Sequence, residues 1–154
     1  MIVFLAGWLA CSVTGFISDN IQNPFSSYNV SPEINSPHDW VGQDNIHVYN
    51  DRVVIDIQDP DWATFTDTNS MDPIFDEVAN TIEIKPQSPA DIHVGDIIAY
   101  ESALFDSIII HRVVEINEDD EGWYARFKGD NNQYTDPEKV RFDQIKGIVV
   151  AIIY

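Results

Sequence analysis

The chain is poor in cysteine and in positive charge. Its 154 residues include one cysteine, Cys11, and 8 lysines and arginines against 26 aspartates and glutamates. A single thiol excludes an intramolecular disulfide framework and a multi-cysteine zinc site. Cys11 lies in an apolar N-terminal stretch, where a small buried thiol is the expected state. Trp8 sits where a lipidation signal wants a small aliphatic residue. The net charge of −18 repels phosphate backbones, which proteins engage with lysine and arginine, so no nucleic-acid partner is expected. Acidity of this size is read as solubility in a salty exterior, with substrate steering the lesser role. Metal-ligand spacing is missing as well. His38, His47 and His93 are scattered without a His-x-x-x-His pair. Asp119-Asp120-Glu121 and the group Asp72, Asp76 and Glu77 match no calcium-loop pattern. All are read as solvated surface residues, and no cofactor is expected.

Charge is also absent from Met1 to Ile17. A bilayer span takes about 20 apolar residues, with a lower limit of about 17. Residues 1–17 are therefore read as a retained single-span anchor in contact with membrane lipid. A cleaved signal peptide competes, since Ala10-Cys11-Ser12 offers small residues for cleavage, but the usual basic leader is missing. Every lysine and arginine lies from Arg52 onward. The simplest placement is a single-pass cell-membrane protein with its main domain outside the cytoplasm. Residues 18–45 are polar and carry Pro24, Pro32 and Pro37, which reads as a linker. Asn29-Val30-Ser31 is a glycosylation sequon that suits an exported linker.

What is present from Ile46 onward is strand pattern. Ile46–Tyr49 and Arg52–Ile57 flank Asn50-Asp51, a tight hairpin signal. Further β-like runs are Ala63–Thr66, Thr81–Ile84, Ile97–Tyr100, Ile108–Ile116, Trp123–Lys128 and Ile145–Tyr154, with a charged turn over Asn117–Gly122. No long 3.6-residue period follows residue 17. The expected architecture is an all-β domain over 46–154, a sandwich or partly closed barrel, behind an N-terminal transmembrane helix.

Three short patches carry residues that nucleophilic acyl transfer needs: Thr68-Asn69-Ser70-Met71-Asp72-Pro73, Ile110-His111-Arg112-Val113, and Lys128-Gly129-Asp130-Asn131-Asn132 followed by Asp136. A serine hydroxyl is too weakly acidic to attack a peptide unaided. An imidazole must take its proton and a carboxylate must orient that imidazole. Pro73 stiffens the backbone just past Ser70, as a nucleophile on a restrained loop requires. A neutral imidazole suits the base role better than an ordinary lysine. No lysine falls between Lys85 and Lys128, so a serine–lysine mechanism would need Lys85. Arg112 is read as structural, pairing with a carboxylate on the alternate face of its strand.

The order and surroundings of these patches resemble the type I signal peptidases, specifically the archaeal and endoplasmic-reticulum branch. That family has a Ser-x-Ser-Met-x-Pro box, a Gly-Asp that opens a strand (here Gly95-Asp96), an apolar strand ending in His-Arg-Val, and a Gly-Asp-x-Asn turn with a second aspartate after it. The resemblance covers Asp67 to Tyr154. It implies a signal-peptidase-like β fold and a serine endopeptidase that cleaves signal peptides or other exported precursors after small residues. The partner would be an extended peptide segment bound as an added strand. Ser70 would be the nucleophile and His111 the base, where bacterial members and LexA-type repressors place a lysine. Ser70 N–H and the Thr68 hydroxyl would hold the oxyanion. Asp130 and Asp136 compete for the third role; Asp136 is assigned to orient His111, and Asp130 stays open between an auxiliary role and an Asx-turn. Thr68 stands where the family has serine, and Asn69 where it often has glycine, a change eased by the tolerance of asparagine for positive φ.

One departure concerns the substrate. Ser70 lies 53 positions after Ile17, whereas the family keeps its nucleophile close to the membrane span. Two other classes remain: a non-catalytic exported β domain that keeps the fold for binding, and a LexA-like self-cleaving regulator. The apolar N-terminus, the acidity and the lack of a helix-turn-helix pattern weigh against the latter.

Overall fold

The computed structural model describes residues 33–154. The predicted span 1–17, Cys11, the Asn29 sequon and residues 18–32 of the predicted linker lie outside the described residues. Among the described residues no helix is long and apolar enough to cross a membrane.

The described chain is mostly β. Its strands are β1 (Ile46–Val48), β2 (Val53–Ile55), β3 (Asp61–Thr64), β4 (Asn80–Ile84), β5 (Ile97–Ser102), β6 (Ser107–Asp119), β7 (Gly122–Lys128) and β8 (Ile145–Ile153). Each lies on one of the runs that apolar patterning predicts, with ends shifted by up to three residues. β1 and β2 form a two-stranded hairpin through the Asn50-Asp51 turn. The other six form one sheet in the order β3-β4-β8-β5-β6-β7, with every ladder antiparallel.

The period-two alternation of a strand explains the two cores. β5 sits between β8 and β6, and its Ile97-Ile98-Ala99-Tyr100 run is buried on both faces. A continuous apolar run of this length is what a doubly covered strand needs. Ile98 and Tyr100 join Val113, Phe127 and Ile148 in one cluster. Ile97, on the other face, joins Met71, Phe75, Ala79 and Val149 in a second. The second cluster pins the segment that follows β3, which carries Ser70.

Two features position the site. β6 pairs with β5 from Ser107 to Arg112, but β7 joins it only from Arg112 onward. Among the described residues, Ser107–His111 therefore has a ladder partner on one side only. The second feature is an N-terminal arm. The compact unit begins at Asn35, well before Ile46, where the polar composition suggests a linker. The fully buried Asp96 carboxylate accepts bonds from His38 N (2.8 Å), Trp40 Nε1 (3.1 Å) and His93 N (2.9 Å). Trp40 packs on the core, and the His38 and His93 rings stack at 4.2 Å, so these two histidines are surface residues as expected but are paired with each other and not scattered. Gly95 has φ +107°, and a side chain there would run into the Ser36 carbonyl.

Candidate active site

Ser70 is half-buried on the loop between β3 and β4. The loop is fixed from both sides. Asn69 takes φ +54°, a left-handed conformation that asparagine tolerates, and the buried Met71 roots the next position in the core. From the turn after β7, Asn131 N donates to Ser70 O and Asn131 Nδ2 donates to Asn69 O, both at 2.9 Å. Gly129 makes this approach possible: a Cβ there would lie 2.6 Å from Ser70 O. The Thr68 and Ser70 hydroxyl oxygens are 3.2 Å apart. The patches around Ser70 and Asp130, far apart in sequence, thus meet through one backbone bond and one bond from the Asn131 side chain.

His111 and Arg112 are consecutive on β6 and so face opposite sides of the sheet. His111 sits across from Ile98 and is buried. Its Nδ1 lies 2.7 Å from Asp136 Oδ2. A carboxylate oxygen only accepts, so in this pair Nδ1 is the donor and Nε2 is the ring nitrogen left outside the bond. Asp136 stands on the loop after β7, where its N–H donates to Phe127 O at 2.7 Å. Arg112 turns the other way. It makes a two-pronged pair with Asp130, Nε to Oδ1 at 2.8 Å and Nη2 to Oδ2 at 2.6 Å, and Nη1 donates to Gly95 O at 2.7 Å and Asn35 O at 3.2 Å. The two competing aspartates are therefore separated: Asp136 meets the imidazole, and Asp130 meets the guanidinium.

A cavity of about 570 Å³ opens at the one-sided stretch of β6. Ser70, Thr68 and His111 all line it, alongside Phe65, Met71, Ile108 and Ile110. Its walls are thus chiefly apolar, with the Thr68 and Ser70 hydroxyls and the His111 imidazole among the polar groups that line it. Among the described residues no hydrogen bond joins Ser70 to His111. Ser70 Oγ is engaged by Thr68, and the imidazole by Asp136. Lys85 is exposed just past β4 and does not line the cavity, which leaves a serine–lysine arrangement without its base.

One residue of the site is absent from the sequence reading. Tyr100 on β5 is fully buried, and its hydroxyl donates to Asp136 Oδ2 at 2.8 Å, the oxygen that also meets His111. Burial, then the bond to Asp136 and the charges of Asp136 and Glu138, push the Tyr100 hydroxyl far above the ordinary tyrosine range. The hydroxyl therefore keeps its proton at neutral pH and acts as the donor in this bond. The only sequence signal was a polar tip in an otherwise apolar run, and its partner is distant in the chain.

Among the described residues, no group of three or more His, Cys, Asp or Glu side chains is disposed to hold a metal ion. The acidic turn is occupied by salt bridges: Asp119 binds Arg141 and Lys139, and Arg141 also reaches Glu121. Comparison with protein-family models, with curated proteins and with solved structures gave no match.

Proposed function

We propose that this chain is a serine endopeptidase of the kind its resemblance to signal peptidases implies, tethered by residues 1–17 with its β domain outside the cytoplasm. The observation that carries the reading is the His111–Asp136 pair. Its 2.7 Å bond uses Nδ1 and leaves Nε2 as the ring nitrogen available to the cavity that Ser70 also lines. Serine, imidazole and carboxylate then hold the roles that acyl transfer requires. Ser70 attacks the scissile carbonyl and His111 Nε2 takes its proton. Asp136 holds the tautomer and steadies the imidazolium, and Ser70 N–H with the Thr68 hydroxyl receives the oxyanion. Catalytic hydrogen bonds often tighten only when substrate is bound, so the Ser70 hydroxyl must leave Thr68 for His111 on that occasion.

The substrate would be an extended peptide segment of an exported or membrane precursor. It would add a strand to the edge of Ser107–His111, which has no ladder partner among the described residues, using backbone bonds for affinity and the apolar cavity for side-chain choice. A signal-peptidase-like sandwich or partly closed barrel is the finer fold that goes with this reading.

The test uses the full chain in detergent with an internally quenched peptide that has small residues before the scissile bond. Ser70→Ala should abolish cleavage without lowering the thermal midpoint, and His111→Ala should abolish it while lowering the midpoint, because the buried Asp136 loses a partner. Asp136→Asn should slow it by about 10⁴-fold, because the wrong tautomer is then held. Undiminished cleavage by Ser70→Ala overturns the proposal. A second reading, a binding domain without catalysis, is favoured by the engagement of Ser70 Oγ with Thr68 in place of His111. It predicts peptide binding that survives in Ser70→Ala and no cleavage by any variant.

A further inference from the structure

We propose that Tyr100 is a positioning residue for the His111–Asp136 pair: it selects the carboxylate oxygen that meets the imidazole and limits how strongly that oxygen pulls on it. This inference rests on the peptidase reading of the same site.

The geometry is asymmetric. Asp136 is carried by a loop, while both of its side-chain donors stand on adjacent strands of the sheet, Tyr100 on β5 and His111 on β6. Tyr100 pairs across with Ile109, and His111 with Ile98, so the two donors share one face on a diagonal. The torsion that turns a carboxylate is broad and roughly two-fold, so a single donor leaves either oxygen free to serve. Two donors converging on Oδ2, at 2.8 and 2.7 Å, fill both of its lone pairs and fix the orientation. Tyr100 itself has no room to move: it is fully buried and its ring packs against Phe127 at 4.6 Å between centroids. A rigid strand residue therefore registers a loop-borne acid onto the imidazole.

The same bond has an electrostatic effect. A hydroxyl donating to Oδ2 draws charge from the oxygen that would stabilise the imidazolium, and so weakens its hold on the His111 proton. Asp136 and Glu138 are the titratable groups whose charges act on Tyr100. On the cavity side His111 shares its surroundings with Ser70, Thr68 and Asp76, of which Asp76 alone bears a carboxyl group. Arg112 and Asp130 lie on the other face and are paired with each other. Removing the Tyr100 hydroxyl thus strengthens the pull of Asp136, and His111 stays protonated to higher pH.

The experiment compares the full chain with its Tyr100→Phe variant, which keeps the ring and its packing. One readout is the rate at which a fluorophosphonate labels Ser70 between about pH 5 and 9, with Ser70→Ala as the blank. The other is the proton NMR signal of the His111 Nδ1–H, which needs no catalysis. Tyr100→Phe should lower the maximal labelling rate about tenfold. It should also move the acid limb upward by about half a pH unit, and shift the Nδ1–H resonance downfield. Placing 3-fluorotyrosine at position 100, a stronger donor of nearly the same shape, should move the limb and the resonance in the opposite directions, and it decides the matter if the phenylalanine variant fails to fold. An unmoved limb and resonance in a folded variant overturn the role of Tyr100 while leaving the peptidase reading intact. If instead the wild-type chain does not label at all, the peptidase reading fails, and the NMR shift alone judges whether Tyr100 governs the pair.

Discussion

Arg112 grips Asp130 with two parallel bonds, at 2.8 and 2.6 Å, one position along the strand from His111 and on the opposite face. Both side chains are almost fully enclosed. A buried pair of this kind says little about net stability while intact, but loss of one partner strands a charge away from water. Asp130→Asn should destabilise the domain by about 3 kcal/mol in denaturant titrations. Per folded molecule it should still label at Ser70 to within severalfold of wild type, because Asp130 touches the guanidinium and not the imidazole. A collapse of labelling as deep as that of Asp136→Asn would give Asp130 a direct part in the chemistry.

Gly129 sets the distance between the turn after β7 and the Ser70 loop. With a methyl at that position only 2.6 Å from Ser70 O, Gly129→Ala must push the loop outward or break the Asn131–Ser70 bond. Peptidase activity should fall by about 10²-fold, since displacements near 1 Å at a reacting centre cost that much. The thermal midpoint should drop modestly. Equal activity in Gly129→Ala would show that the loop is not held by this contact.

Glu83 on β4 is a carboxyl inside the sheet, where desolvation raises its proton affinity above the usual glutamate range; a bond from Thr81 opposes this, and the charge of Asp61 adds to it. A raised value in the folded state means that the proton binds more tightly there than in the unfolded chain. Stability linked to Glu83 is then fully present below its unfolded value and lost as pH rises through its folded value. At neutral pH the buried charge is a cost. Glu83→Gln, which keeps the shape and an acceptor for Thr81, should raise the thermal midpoint at pH 7. The difference from wild type should shrink on acidification and vanish below about pH 4. A gain that is independent of pH would assign the effect to packing instead.

The strands were legible because each is a short apolar run bounded by turn residues, and the doubly buried β5 announced itself as four apolar or aromatic positions in a row. Residues 35–45 were not. Their proline and polar content reads as a linker, and the force that docks them is one tryptophan and one buried acceptor, Asp96, whose need for donors is invisible in a one-dimensional string. The site was legible only in part. Alternation along β6 already dictated that His111 and Arg112 face opposite ways, so two aspartates had to be divided between them. Which acid goes to which base depends on how the turn after β7 folds back, and no local pattern encodes that. Tyr100 lies 36 positions from its acceptor and carries no motif.

The open flank of β6 has a consequence for the resting protein. Among the described residues the N–H and C=O groups of this flank, beside exposed Leu104, Phe105 and Ile108, have no ladder partner, and such a row is also a template on which another copy of the chain can zip. Like charge is the guard, for two copies each carrying −18 repel before their flanks can meet. In about 1 M salt that repulsion reaches only about 3 Å, so the acidic surface that keeps copies apart loses its hold on the open flank as salt rises.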